Sequence, residues 1–384
     1  MRARFATLSL LTSLAACDKS GPAPTVSDPT PLPPQPTLTV DPPSTPPEPV
    51  APEPAAPRVV VLDPLPEESH LGPLRQLSFG GENAEAYLST DETKLVFQST
   101  RDGAKCDQIY TMGTDGSDVT RISSGKGRTT CAYYLPGDAR VLYASTHAAA
   151  DDCLPPPDRS LGYVWKLYPE FDIYTAAPDG SDVKPLVTGP GYDAEATVSP
   201  TGDRIVFTST RDGDPELYSM KIDGSDLKRL TKTPGYDGGA FFSPDGKKLV
   251  YRANHPKGKE ELAKYKAIIE QGLVRPTRLE LFVSNADGSK PKQVTNNGKA
   301  NFGPFFHPDG KRIIFASNAH DEKGRDFDLY IIGVDGKGLE RVTHNPSFDG
   351  FPMFTKDGKH LVFASNRNAE HEGDTNVFWA EWKD

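Results

Sequence analysis

Four histidines are the residues in this sequence whose type and spacing could support metal chemistry. They end or follow apolar, β-branched segments: His147, His255, His320 and His371. Imidazole groups hold a metal ion when several ligands converge on one point. In other copies of the same segment, arginine holds the position of the first two histidines: Arg101, Arg211 and Arg367. We therefore interpret the histidines as structural polar partners, and we predict no metal ion and no other cofactor.

A second group of polar residues precedes the same segments. Aligned on the following turn, one column reads Asn83, Thr129, Asp193, Asp237, Asn301 and Asp349. The residues two positions further on are Glu85, Cys131, Glu195, Gly239, Gly303 and Phe351. Such side chains can cap backbone donors and pair with the three arginines, or they can form an acidic lip around a ligand or peptide funnel. The two roles are compatible. The candidate binding residues are Glu85, Asp193, Glu195, Asp237, Asn301, Asp349 and the arginines.

The elements that must position these residues form a repeat. Its strongest copies are SPTGDRIVFTSTR (199–211), SPDGKKLVYRANH (243–255), HPDGKRIIFASN (307–318) and TKDGKHLVFASNR (355–367). Weaker copies are STDETKLVFQSTR (89–101) and LPGDARVLYASTH (135–147). Each reads as a β-hairpin, and a third strand and a short fourth strand follow most copies. The sequence therefore predicts an all-β fold, a six-bladed β-propeller with four-stranded antiparallel blades.

The two ends of the repeat region complement each other. The last unit stops at its third strand, NVFWAEW (376–382), whereas an unmatched outer-type strand, LRQLS (74–78), precedes the first unit. Pairing these two segments would remove two open sheet edges. We therefore predict that Leu74–Ser78 closes the ring by completing the sixth blade.

The repeats resemble those of the TolB-like propeller family of secreted bacterial proteins. The patterns SPDGKKLVYRAN and DLYIIGVDGKGLERVT carry this resemblance over roughly residues 74–384. It implies a six-bladed propeller that acts as a protein-binding module of the cell envelope. Related propellers gate serine oligopeptidases or act as sugar lyases. Unlike TolB itself, this chain is expected to be a lipoprotein without the TolB N-terminal domain.

The N-terminus reads as a bacterial lipoprotein signal. Residues 1–16 combine two arginines with a short apolar run, and LAAC places Cys17 at the position that is lipidated. Residues 17–70 are rich in proline and predict a disordered tether, and residues 71–384 predict the propeller. The net charge of −10, without a basic cluster, excludes nucleic acid as a partner. We expect membrane attachment through the N-terminal lipid only, on the periplasmic side of either membrane or on the cell surface.

Two long insertions, residues 147–171 and 255–279, leave the face from which second-to-third-strand links emerge. The first insertion carries a group of aromatic candidates for binding: Tyr163, Trp165 and Tyr168. The second predicts a helix with one apolar stripe: Leu262, Tyr265, Ile268 and Ile269. That stripe packs on the propeller rim or belongs to a binding surface.

Three cysteines remain after lipidation: Cys106, Cys131 and Cys153. In an oxidising compartment two of them are expected to pair. Cys131 with Cys153 is the favoured pair, and Cys106 with either partner is the alternative.

The function predicted from these features is a lipid-anchored, monomeric propeller that binds an envelope protein or peptide, or a glycan. The alternative is a metal-dependent lyase or a hydrolase with a site at the channel mouth. We do not expect a serine oligopeptidase, because these 384 residues contain no G-x-S-x-G nucleophile elbow.

Overall fold

The computed structural model describes residues 58–384. The predicted signal peptide, Cys17 and most of the predicted tether lie outside the described residues. In residues 58–384, no helix has both the length and the apolar character to cross a membrane.

The described chain is built almost entirely of short antiparallel strands. Strands β1 (Val60–Leu62) and β2 (Leu71–Gln76) come first. Blade one comprises β3 (Asn83–Leu88), β4 (Lys94–Ser99), β5 (Gln108–Gly113) and β6 (Thr120–Arg121). Blade two comprises β7 (Thr129–Tyr134), β8 (Val141–Ser145), β10 (Asp172–Ala176) and β11 (Lys184–Val187), with β9 (Trp165–Lys166) in its insertion. Blade three comprises β12 (Asp193–Val198), β13 (Arg204–Ser209), β14 (Glu216–Lys221) and β15 (Lys228–Arg229).

The second half repeats this arrangement. Blade four comprises β16 (Tyr236–Phe242), β17 (Lys248–Asn254), β19 (Glu280–Asn285) and β20 (Lys292–Gln293), with helix α1 (Gly258–Ile269) and β18 (Leu273–Val274) in its insertion. Blade five comprises β21 (Asn301–Phe306), β22 (Arg312–Ser317), β23 (Asp328–Gly333) and β24 (Glu340–Arg341). Blade six comprises β25 (Asp349–Phe354), β26 (His360–Ser365) and β27 (Asn376–Trp382), which pairs with β2. The predicted six-bladed propeller is confirmed.

The hydrophobic core lies between neighbouring blades. The second strand of every blade places an aromatic ring at the same position, and these rings are essentially inaccessible: Phe97, Tyr143, Phe207, Tyr251, Phe315 and Phe363. Both faces of each central strand pack against a neighbour, so these strands read as continuous apolar runs. This recurring layer explains why the chain repeats nearly the same segment six times.

The ring closes through β2, as the sequence predicts. Leu71 lies opposite Trp382 and Gln76 lies opposite Phe378 in the ladder between β2 and β27. Residues 58–70 depart from the predicted tether, because β1 adds a fifth strand outside β2 and the side chain of Glu68 is fully buried against Arg367. The ordered propeller therefore begins before residue 71.

The chain enters the propeller on the face that carries the two insertions, which we call the mouth face. Arg58 forms an ion pair of 2.7 Å with Glu370, in the link between β26 and β27. Its guanidinium also lies 4.0 Å from the centre of the Phe79 ring. The opposite face, which we call the turn face, carries the hairpin turns.

The two insertions contact each other, which the sequence did not predict. Leu273 pairs with Lys166 and Val274 pairs with Trp165, so β9 and β18 form a two-stranded ribbon across the mouth face. The stripe of α1 is half-buried, and the Tyr265 hydroxyl donates a hydrogen bond to Asp214 in blade three. Packing of this stripe on the propeller rim is the interpretation that the structure supports.

The disulfide joins Cys106 to Cys153, with 6.0 Å between their Cα atoms. The favoured pairing of Cys131 with Cys153 is wrong, and one of the alternatives is correct. Cys131 is a free thiol on the inner strand of blade two. Its side chain lines the central channel, whereas Cys153 lies on the loop that folds back beside blade one.

Candidate functional site

A cavity of about 950 Å³ opens on the mouth face above the central channel. Strand β9 and its neighbours in the first insertion form part of its wall, and inner-strand residues form its floor. We call this cavity the cup. Several predicted binding residues line it together: Glu85, Glu195, Tyr163, Trp165 and Tyr168. Cys131, which was predicted only as a disulfide candidate, also lines it. The cup has one aromatic side and one charged side.

The aromatic side is a continuous row of rings that we call the aromatic arc: Trp165, Phe302, Phe327, Phe348 and Phe351. Successive ring centroids lie 5.1 Å, 5.2 Å, 6.3 Å and 6.2 Å apart. All five side chains are half-buried. At these separations, aromatic pairs attract one another, so the arc is preorganised.

The aromatic residues of the first insertion have different roles. Tyr163 is 62% exposed at the rim, and its hydroxyl accepts a hydrogen bond of 3.1 Å from Trp165 Nε1. Tyr168 is buried, and its hydroxyl donates a hydrogen bond of 2.6 Å to the Pro155 carbonyl. Trp165 and Tyr163 are therefore available to a ligand, whereas Tyr168 fixes the loop.

The charged side of the cup comes from blades one and two, and two basic side chains of blade five add charge at the rim. Asp107 and Arg128 approach to 3.7 Å. The Gln98 side chain accepts a hydrogen bond of 2.9 Å from the Thr130 hydroxyl. Burial raises the pKa of Asp107, and the Arg128 charge opposes this shift. These residues line the same cavity as the aromatic arc, so a ligand that fills the cup would contact both surfaces.

Each inner strand has a β-bulge at the floor of the cup. The register with the second strand shifts in all six blades. The bulged residue is the second column of the sequence alignment, and its φ lies between 52° and 59° in every blade. A bulge redirects a side chain that would otherwise point into the sheet. This backbone feature brings Glu85, Cys131, Glu195 and Phe351 to the channel.

An ion pair that the sequence did not predict joins blades three and four at the channel. The Arg252 guanidinium contacts the Glu195 carboxylate, which also accepts hydrogen bonds of 2.7 Å from Thr208 and 2.9 Å from the Gly239 amide. Burial lowers the pKa of Arg252, but the charge of Glu195 outweighs it and leaves that pKa above its ordinary value. A Cβ on Gly239 would collide with Arg252. One signal was present in the sequence, because Arg252 is the charged residue at a position where other copies have Gln, Ala or Thr.

The first column of predicted residues is buried beneath the mouth face rather than exposed around it. Asp193, Asp237 and Asp349 are at most 1% exposed. They pair respectively with Arg211 at 2.9 Å, His255 at 2.9 Å and Arg367 at 2.7 Å. The equivalent amides also accept hydrogen bonds: Arg101 donates to Asn83 at 3.0 Å and Ser317 donates to Asn301 at 2.8 Å. These buried pairs stabilise the strand ends beneath the mouth face, and they do not form an exposed acidic lip.

The four histidines remain in their own blades. His147 contacts Ser145 at 2.7 Å and His255 contacts Asp237. His320 belongs to a group with metal-compatible geometry, together with Asp326 at 3.1 Å and Asp328 at 3.2 Å. Arg341 already forms an ion pair with Asp328. A cation would have to displace this guanidinium, so the group fits an internal hydrogen-bond network better than a metal centre.

The comparisons with known proteins agree on the propeller. The family model of the TolB beta propeller domain matches residues 155–272 and 274–380. A structure assigned as TolB from Agrobacterium tumefaciens superimposes with a TM-score of 0.52 and 17% identity, over 79% of this chain and 91% of that chain. TolB from Acinetobacter baumannii gives a TM-score of 0.51 and 17% identity, over 79% of this chain and 64% of that chain.

Proteins of other function share the fold. The gluconolactonase XC5397 from Xanthomonas campestris gives a TM-score of 0.52 and 14% identity, over 85% of this chain and 94% of that chain. No curated protein is detectably similar in sequence. Identities this low show a common fold, and the function must be argued from the site.

Proposed function

The chain belongs to the TolB β-propeller family, and we propose that it is an envelope protein that binds a protein or peptide partner at its mouth face. The aromatic arc is the observation that carries this proposal. Five half-buried rings line one side of a cavity of about 950 Å³. A concave aromatic surface that remains accessible to water is typical of a recognition site.

The arrangement of the cup suits a macromolecular partner. Protein interfaces derive most of their free energy from a few aromatic or arginine anchors near the centre, whereas charges at the rim mainly steer encounter. The arc supplies the anchors. Exposed Tyr163 and the side chains of Lys323 and Arg325 at the rim extend the surface beyond the cavity itself.

The proposed attachment to the membrane is through lipid on Cys17. We expect the Cys17→Ser variant to keep a folded propeller but to leave the membrane fraction, because the acyl chains supply the anchor. Retention of this variant in washed membranes would contradict the lipid anchor without affecting the proposal for the cup.

Substitution of the aromatic arc tests partner binding. We expect the double variant Phe327→Ala/Phe348→Ala to capture its partner from solubilised membranes at least about 30-fold more weakly than the wild type, since hot-spot rings contribute about 2 kcal/mol or more. The matched control is Leu227→Ala, an exposed apolar residue of blade three that is remote from the cup. Equal capture by the arc variant and the control, with both folded, would contradict the proposal.

The same variants separate this proposal from an enzyme. The cup also contains Glu85, whose pKa burial raises to about 7, a value suited to a general acid. If arc substitutions have no effect on binding while Glu85→Gln abolishes turnover of a small substrate such as a sugar, the site is catalytic. A partner that is lost on deglycosylation of the membrane extract would instead identify a glycan ligand.

A further inference from the structure

At the channel floor, some positions carry a full side chain although their backbone conformation favours glycine. All six bulge residues have positive φ, and blades four and five place Gly239 and Gly303 there. Glu85 (52°) and Glu195 (58°) adopt the same conformation with full side chains. A non-glycine residue at such a φ costs on the order of 1 kcal/mol. Two carboxylates are therefore aimed into the channel from strained positions.

These two carboxylates differ in their ion-pair and hydrogen-bond partners. Glu195 contacts the Arg252 guanidinium and accepts hydrogen bonds from Thr208 and the Gly239 amide. Glu85 has no ion pair with any residue in the described part of the chain, and its hydrogen-bond partner is the thiol of Cys131. The channel therefore holds one carboxylate that is paired with a cation, Glu195, and one that is not, Glu85.

The surroundings of Glu85 favour a positive ligand over a negative one. The ionisable groups that face it are Cys131, Glu195, Arg252, Asp107 and Tyr87. Burial raises the pKa values of the thiol and the phenol, so both stay neutral. The Arg252 charge is compensated by Glu195, and Asp107 adds a negative charge that Arg128 opposes. At the channel floor an entering cation would meet Glu85 as a carboxylate without an ion pair, whereas the one cation that lines this pocket in the described chain, Arg252, is already paired. The basic side chains of blade five line the cup but not this pocket.

The shape of the site suits one long side chain. A pocket of about 30 Å³, which is room for a single small group, lies under the cup and shares Glu85, Glu195 and Phe351 with it. The aromatic arc leads from the rim to this pocket. Aromatic faces accommodate both the apolar stem of a lysine or arginine and its charged head.

From this geometry we infer that the channel is a socket for one lysine or arginine side chain of the partner, with the Glu85 carboxylate as its counter-ion. The inference rests on the proposed function, because it assigns the residue by which a protein partner would enter the cup. It specifies the charge and the length of the partner's side chain, which the aromatic arc alone does not specify.

The state of Glu85 gives the socket a characteristic pH dependence. Burial raises the pKa of this carboxyl to about 7, although the hydrogen bond from Cys131 and the charge of Arg252 oppose the shift. The empty site is therefore half-protonated near neutral pH, and a bound cation would ionise it. Binding should release about half a proton per site at pH 7, and affinity should fall about tenfold per pH unit at pH values well below 7.

The capped tripeptide acetyl-Gly-Lys-Gly-amide is a suitable probe, with the same peptide Nζ-acetylated on its lysine as the control. We expect calorimetric titration at pH 7 to show at least about tenfold weaker binding of the acetylated peptide. Titration in buffers of different ionisation enthalpy should detect the released protons. Equal binding of both peptides, or no binding of either at millimolar concentration, would overturn the inference.

Two variants complete the test. Glu85→Gln should abolish both the preference for the charged lysine and the proton release. Glu85→Gly should do the same while raising the melting temperature, because glycine adopts φ 52° without strain. If both variants are folded and still prefer the charged peptide, the inference is wrong. If they capture the membrane partner as wild type does while Phe327→Ala/Phe348→Ala does not, the cation socket fails and the proposed function stands.

Discussion

A chain that begins at residue 80 is expected not to form a stable propeller, whereas a chain that begins at residue 58 should keep full stability. The shorter chain lacks β2 and the residues that follow it, and so loses Leu71, Leu74 and Leu77, which are buried in the core at no more than 3% exposure. Each buried leucine stabilises the fold by about 1.5–3 kcal/mol. Their sum is comparable to the total stability of about 5–15 kcal/mol that is typical of a folded protein.

Loss of β2 also opens the ring. Strand β27 would become an unpaired edge beside buried Phe378 and Ala380, and such edges promote aggregation. Thermal unfolding followed by circular dichroism measures the effect. The control begins at residue 64 and removes only β1, whose residues are exposed or half-buried; we expect its melting temperature to change little. Equal melting temperatures for the chains that begin at residues 58 and 80 would contradict the claim that β2 stabilises the propeller by closing the ring.

The second large effect is expected for Arg367→Met, with a loss of about 3–5 kcal/mol in the free energy of unfolding. Arg367 lies 2.7 Å from Asp349 and 3.0 Å from Glu68, and neither carboxylate side chain is exposed. The substitution would leave two buried negative charges without a cation, and this is the costly way to break a buried ion pair. Urea unfolding at pH 7 measures the loss.

The pH dependence of this loss has a defined sign. Burial raises the pKa of Glu68, but the hydrogen bond and charge of Arg367 outweigh it and hold the pKa below its ordinary value. In the wild type, this carboxylate stabilises the fold above the unfolded-state pKa, and the contribution is lost as the pH falls through the folded-state pKa. In the variant the backbone hydrogen bonds from Leu65 and His344 to Glu68 remain. Arg367 no longer opposes the effect of burial, so protonation of Glu68 becomes more favourable than in the wild type. The difference between the two proteins should therefore be larger at pH 7 than at pH 4.

Blade one offers a matched control for Arg367. Arg101 occupies the equivalent position, but its partner is the neutral Asn83 amide oxygen at 3.0 Å. That oxygen also accepts a hydrogen bond of 2.8 Å from Ser99. Arg101→Met should therefore cost about 1 kcal/mol and show little dependence on pH. Equal losses for the two variants would contradict the role assigned to the buried carboxylates.

The fold could be predicted from the sequence because each blade is specified locally. A turn signal and two apolar strands recur six times, and the unmatched strand at residues 74–78 leaves one topology without open edges. The boundary near residue 70 was less accurate. Burial of Glu68 depends on Arg367, which is almost 300 positions away, and a proline-rich segment carries no local sign of such a partner.

The cup could be predicted only in part, because its features depend on contacts between blades. The sequence placed Glu85, Glu195, Trp165 and Tyr163 on one face, and the structure brings them together in the cup. It did not reveal that Val274 pairs with Trp165. Residue type also could not distinguish Asp193, which is buried against Arg211, from Glu195, which a β-bulge directs into the channel.

The most direct test of the central claim is site-specific photo-crosslinking of the partner in intact cells. A photoreactive amino acid would replace Tyr163, which is exposed at the rim of the cup, or Lys247, whose side chain is 80% exposed on the turn face. Neither position lies in the core, so both proteins should fold. We expect a discrete cross-linked protein from position 163, none from position 247, and loss of the product when Phe327→Ala/Phe348→Ala is added. The same product from position 247, or none from position 163, would contradict binding at the mouth face.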